Sequence, residues 1–206
     1  MDFQLKQPDY TVLLKLAGWN EDRSGFDESK TALLKLPSGL DEMKAAIREL
    51  GVTGLDQVGY RCVDCAVPQA RGWIEEADGF GEIESFASDL RLLQEEGSLT
   101  KYKVVLKATQ CSDLQTAIQL LETLDSYIYS PKLDTPEKIA ADELRNYLGD
   151  DVGLLLPHVN LWGYGNAVIE HDGCVLTEYG LIDRSDGLPV LENVGKPHQK
   201  GVEMTM

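Results

Sequence analysis

The sequence predicts an α+β protein, and three observations carry that expectation. Short apolar, β-branched runs stand near both ends. Between them, apolar residues recur at three- and four-residue steps, and glycine or proline punctuates the segments where helices stop and start. Tyr10 to Ala17 (YTVLLKLA) reads as a strand, and Lys30 to Leu36 (KTALLKL) reads as its hairpin partner across the polar loop GWNEDRSGFDES. Pro37 and Ser38 close the second strand, with Ser38 as the cap of a helix from about Leu40 to Leu50. Leu40, Met43, Ile47 and Leu50 share one face of that helix, and Gly51 ends it. Val58 to Val67 (VGYRCVDCAV) is a third strand, which makes residues 1–70 a ββαβ-like domain.

The middle of the chain, residues 71–125, reads as a helical bundle. Ile83, Phe86, Ala87, Leu90 and Leu93 form an apolar stripe that Gly97 terminates. Ser98 then caps a helix carrying Tyr102, Val105 and Leu106. Ser112 opens another with Leu114, Ala117, Ile118 and Leu121 on one side and Asp113 in the first turn. Residues 126–206 read as a small α+β domain with a tail. Tyr127 to Tyr129 is a strand, Thr135-Pro136-Glu137 starts a helix with Ile139, Leu144 and Leu148 on one side, and Gly149 ends it. Residues 157–183 leave two readings open. A hairpin could turn at Asp172-Gly173, or a helix from about Val159 to Glu170 could precede strands near Val175 and Leu181, the reading the steps Val159, Trp162 and Asn166 favour. From Ser185 the chain is rich in glycine and proline without periodicity, the pattern of a loosely held tail.

With 35 acids against 19 bases, the net charge of −16 speaks against unassisted binding to nucleic acid or an anionic membrane, both of which require a basic surface. The charge is uneven: −3 through Ala70, −6 from Arg71 to Asp125, and −7 from Ser126 onward. Glu75, Glu76, Asp78, Glu82, Glu84, Asp89, Glu95 and Glu96 crowd one span opposed only by Arg91. Asp113, Glu122, Asp125, Asp142, Glu143, Asp150 and Asp151 extend the acidic set, and these fifteen carboxylates are the candidate binding residues. Duplex DNA carries one charge per about 1.7 Å of axis, so a net sixteen negative charges equal the phosphates along roughly 27 Å. A surface acidic only for solubility is the alternative.

No apolar run approaches a membrane span and the N-terminus lacks a signal-peptide core, so a cytoplasmic protein with reduced cysteines is expected. Cys62-Val63-Asp64-Cys65 has the spacing of a metal or redox pair but no second pair to complete a zinc site. Positions three apart on a strand also face opposite ways. His171-Asp172 places a base next to a carboxylate, yet neighbours in sequence rarely face each other. With no nucleophile elbow, phosphate loop or metalloprotease helix, no catalytic, cofactor-binding or metal-binding residue is assigned. A small enzyme would rest on Cys62, Cys65, His158 and His171 alone.

The residues resemble the ArdA family of antirestriction proteins, carried by mobile elements. Gly18-Trp19-Asn20, Ser24-Gly25 and Leu34-Lys35-Leu36-Pro37 are similar to the family's asparagine-glycine loop and following strand. Glu84-Ser85-Phe86-Ala87-Ser88-Asp89-Leu90 resembles its run before an acidic helix. Ala117-Ile118, Leu120, Glu122, Leu124-Asp125 and Tyr127 resemble its line at that spacing, and Tyr164-Gly165, Thr177 and Gly180-Leu181-Ile182 continue it. The resemblance implies an elongated chain of three small domains, a homodimer joined through the C-terminal domain. It also implies acids that imitate the phosphates of bent DNA and occupy the DNA groove of type I restriction-modification enzymes, through their methyltransferase core. The sequence departs from the family in lower acidity, in the basic run Lys101, Lys103 and Lys107, and in the added tail.

Overall fold

Alternation along the N-terminal strands decides which side of the first sheet becomes a core. In this computed structural model, which describes residues 8–19 and 25–192, Val12, Leu14 and Leu16 of β1 (Val12–Trp19) face inward together with Ala32, Leu34 and Leu36 of β2 (Phe26–Leu36). The chain is α+β, as the sequence predicts. It divides into two compact units, Met1–Leu99 and Thr100–Met206.

In the first unit, β3 (Val58–Cys65) completes an antiparallel sheet of order β2-β1-β3. The first strand is shifted two residues along the chain, ending at Trp19, and the second is longer than expected, beginning at Phe26, where the two rings stack at 4.5 Å. Residues 20–24 of the expected loop, Asn20 and Ser24 of the family resemblance among them, lie outside the described residues. Helix α1 (Leu40–Leu50) has the expected bounds, its left-handed Gly51 (φ 71°) and an inward face on which Leu50 is buried and Met43 and Ile47 are half-buried, but not the expected cap, and Leu40 departs from the expected face. Gly39 is the cap residue, its N–H donating to the Glu42 carboxylate at 2.8 Å, and Leu40 points to solvent while Ala46 and Leu50 are buried. A short helix the periodicity does not announce, α2 (Ala70–Glu75), packs on β3.

Helix α3 (Phe80–Glu95) buries the predicted Ile83, Phe86, Ala87 and Leu90, while Leu93 stays half-buried. Thr11, buried at the start of the sheet, donates its hydroxyl to the Ala87 carbonyl at 2.7 Å and so ties the strand to the helix. Gly97 (φ 75°) ends the helix with Ser98 N–H donating to the Leu93 carbonyl at 2.8 Å, the wrapped C-terminus the sequence announces.

The second unit holds most of α4 (Leu99–Ala108), and α5 (Leu114–Glu122), β4 (Tyr127–Ser130), α6 (Pro136–Leu148), α7 (Leu161–Asp172), β5 (Val175–Thr177) and β6 (Gly180–Arg184). Its antiparallel sheet has the order β4-β6-β5. Asp113, expected in the first turn of α5, is its cap and accepts from the Thr116 N–H at 2.7 Å. Tyr102 on α4 donates its buried hydroxyl to the Ala117 carbonyl of α5 at 2.8 Å. Thr135 caps α6 as predicted.

The open choice over residues 157–183 resolves to helix. Asn160 caps α7 by accepting from the Gly163 N–H at 3.1 Å, and Gly173 is the left-handed end of that helix, not the corner of a hairpin. Residues 185–192 are better held than their composition suggests: Val190 is buried, its N–H donating to the Gly173 carbonyl at 2.9 Å, and Arg184 pairs with Asp186. Residues 193–206 lie outside the described residues.

Helices α6 and α7 approach each other at Gly165, where an added Cβ would sit 1.9 Å from the Pro136 carbonyl oxygen. A backbone oxygen has little room to retreat. Gly165→Ala is therefore expected to destabilise the fold by about 3 kcal/mol. Gly72→Ala, on α2 with nothing within 4 Å of the new methyl, is expected to stabilise it by up to about 1 kcal/mol. Urea midpoints of the two variants, moving in opposite directions, check both.

Candidate interaction surface

On α3 the buried stripe dictates where the acids go. At 3.6 residues per turn, Glu82, Asp89 and the following Glu96 fall along one margin of the stripe, and Glu84, Arg91 and Glu95 along the other. Gly81, Ser85, Ser88 and Leu92 fill the outward strip between. Seven-residue spacing sets Glu82, Asp89 and Glu96 about 10.5 Å apart in rise. Glu75, Glu76 and Asp78 lie exposed at the end of α2 and in the turn that follows. Glu82, Glu84 and Asp89 are half-buried, and Glu95 and Glu96 are exposed.

Some of these carboxylates hold the fold together. Glu84 accepts from the Ser38 N–H at 2.7 Å and from the Ser38 hydroxyl at 3.3 Å, which explains why Ser38 does not cap α1. Glu75 accepts from the Cys62 N–H at 3.1 Å, on the outer edge of β3. Arg91, the lone base of the span, donates to the Asp9 carbonyl. Among the described residues, Glu76, Asp78, Glu82, Glu95 and Glu96 join no ion pair within 4.0 Å.

In the second unit, Asp113 is occupied as a helix cap, and Glu122 and Asp125 are exposed. Asp142 and Glu143 on α6 are half-buried. The side chains of Asp150 and Asp151 lie outside the described residues. This unit also exposes large apolar side chains that, apart from Trp162, the sequence pattern does not single out as contact residues. Leu148, expected on the core side of α6, is exposed. Tyr147, Leu154 (80% exposed), Leu155 and Trp162 (61%) join it, on segments running from the end of α6 through two short turns of 3₁₀-helix to the start of α7. Consecutive apolar residues without helical spacing, Leu154-Leu155-Leu156, were the available signal.

The cysteine pair departs from its sequence reading in one respect. Leu14 pairs with Cys62, Leu13 with Asp64 and Val12 with Cys65, so Val63 is an extra, bulged residue. The bulge turns Cys62 and Cys65 to the same, core-facing side instead of opposite faces. Burial pushes the Cys62 thiol up to about 11 and the Cys65 thiol up to about 12, which keeps both protonated and unreactive near neutrality. His171 and Asp172 do meet, Nδ1 to carboxylate at 2.8 Å, because both sit on the last turn of α7. The imidazole is exposed, and the nearby Cys174 thiol is pushed up to about 12 by burial and by Asp183. His158 is exposed. Among the described residues, no group of three or more His, Cys, Asp and Glu side chains could hold a metal ion, and no helix is long and apolar enough to cross a membrane.

Compared with models of known protein families and with curated proteins, the sequence finds no match in either.

The division of labour among the acids is measurable as stability. Glu84→Ala strands the half-buried Ser38 N–H and is expected to cost about 1–3 kcal/mol, whereas Glu76→Ala is expected to stay within about 0.5 kcal/mol of the parent. Chemical denaturation of the two variants side by side separates them. Equal losses would mean that the Ser38 bond carries nothing.

Proposed function

We propose that the chain is a non-catalytic antirestriction protein of the ArdA type, whose carboxylates imitate the phosphates of duplex DNA and block the DNA groove of type I restriction-modification enzymes. The observation that carries the reading is the row Glu82, Asp89 and Glu96 along α3. Its interval of about 10.5 Å is close to three base-pair steps of about 3.4 Å along one strand. The helix behind the row is anchored by four buried side chains, so the charges are presented on a firm support. The residues that resemble the family supply the remaining support, and the thiols, held protonated, offer no nucleophile for an enzymatic reading. The occupant on this reading is the methyltransferase core of such an enzyme, in a cytoplasmic setting, and the chain makes no direct contact with nucleic acid or membrane.

A second reading keeps the fold and drops the mimicry, leaving a protein-interaction or regulatory module of a mobile element. Glu75, Glu84 and Asp113 favour it, because carboxylates spent on backbone N–H groups are not free to imitate phosphates.

Capture of a purified type I methyltransferase, with duplex DNA as competitor, distinguishes the two readings. Mimicry predicts that capture weakens steeply with salt and that DNA displaces the chain. Converting Glu76, Glu82, Asp89, Glu95 and Glu96 together to their amides is expected to abolish capture from a folded protein. Each change alone is expected to cost no more than about 1 kcal/mol. The same treatment of Glu21, Asp22, Asp27 and Glu28 is expected to do less; Glu21 and Asp22 lie outside the described residues. Salt-independent capture, or loss on a single substitution such as Glu76→Gln or His158→Ala, would overturn mimicry.

The proposed homodimer through the C-terminal domain is supported by exposed Leu148, Leu154, Leu155 and Trp162, an apolar set suited to a self-complementary interface. Light scattering is expected to give the mass of two chains for the parent and of one for Leu154→Glu combined with Trp162→Glu. An unchanged dimer would move the interface elsewhere.

A further inference from the structure

The first unit contains a cleft of about 370 Å³ between the short turn Leu55–Gln57, the start of β3 and the connection from α2 to α3. Leu55 and Val58 form apolar walls, Tyr60 and Phe80 supply aromatic rings, and Asp56 and Asp78 stand among them as exposed carboxylates. No lysine, arginine or histidine is among the residues lining it. The rings meet edge-to-face, with centroids 6.3 Å apart and planes at 80°, an arrangement that occupies only one ring face in the pair. Tyr60 is pinned by its hydroxyl, which donates to the Ala77 carbonyl at 3.2 Å. Burial raises the Tyr60 phenol, with Glu82 and Asp78 adding to the shift, so carboxylate charge is felt at the ring.

Apolar walls, aromatic rings and two carboxylates that join no ion pair among the described residues define the ligand by complement. It must carry positive charge, a flat face to lie on a ring, and an aliphatic stem. A guanidinium meets all three requirements: its planar fork matches carboxylates, it stacks on aromatic rings, and it sheds water more readily than an ammonium. We propose that this cleft binds the guanidinium of an arginine side chain, with Asp56 and Asp78 as its anionic partners and Tyr60 and Phe80 as its aromatic wall. The assignment of that arginine to a partner protein rests on the function proposed above. There the cleft would add one localised anchor to an otherwise diffuse set of charge contacts, the role arginine commonly plays at interfaces.

The probe is N-acetyl-arginine methylamide, titrated into the full chain and followed by backbone amide resonances. Its neutral citrulline counterpart serves as the control. Saturable shifts confined to residues 55–60 and 78–80 are expected with the arginine compound and absent with citrulline. Asp56→Asn combined with Asp78→Asn is expected to weaken binding at least tenfold, and Asp41→Asn combined with Glu49→Gln, exposed acids outside the cleft, to stay within a factor of two. Shifts spread over all the exposed carboxylates, an equal response to citrulline, or no saturation at millimolar concentrations would each overturn the proposal. The outcome is independent of mimicry. A chain that binds the arginine compound but fails to capture the methyltransferase keeps the cleft and loses the mimic. One that captures the methyltransferase with no response to the compound does the reverse.

Discussion

The first unit depends on the burial of a single helical stripe. Ile83, Phe86, Ala87 and Leu90 are removed from water, each large side chain contributing roughly 1.5–3 kcal/mol. Once that face is committed, the helix has no rotational freedom left, and every acid on α3 is assigned a position by its distance in sequence from the stripe. Thr11 reinforces the same orientation by bonding to the Ala87 carbonyl. The charged margins follow from packing, so core and surface of this helix cannot be altered independently.

Local signals in the sequence were legible because they are settled within a few residues. Gly51 and Gly97 as left-handed helix ends, Thr135 before Pro136, and the stripe of α3 all depend on neighbours within one or two turns. What escaped depends on partners far away. The bulge at Val63 exists only in the register of β3 against β1, and it reverses the relative facing of Cys62 and Cys65. Glu84 looked like one more surface acid, yet its partner Ser38 lies 46 residues earlier. The exposure of Leu148 likewise follows from what α6 packs against, which no periodicity contains.

The candidate site divides in the same way. That acids flank α3 was readable from spacing, but which of them are available was not, because availability depends on backbone donors that reach them. Asp113 shows how close the two cases lie: a one-residue difference in where α5 begins turns a first-turn acid into its cap. The aromatic cleft of Tyr60 and Phe80 had no sequence signature at all, since its walls come from three segments joined only by folding.

The bulge in β3 has a further consequence for how molecules of this chain behave together. β3 is the last strand of its sheet, and a flat, regular last strand invites another chain to pair with it. Here Val63 breaks the regular run of backbone groups, and the Glu75 carboxylate occupies the Cys62 N–H that would otherwise be offered. That margin of the sheet is thereby a poorer template for strand addition. A bulge and a bonded N–H on the outermost strand both work against edge-to-edge association of neighbouring molecules.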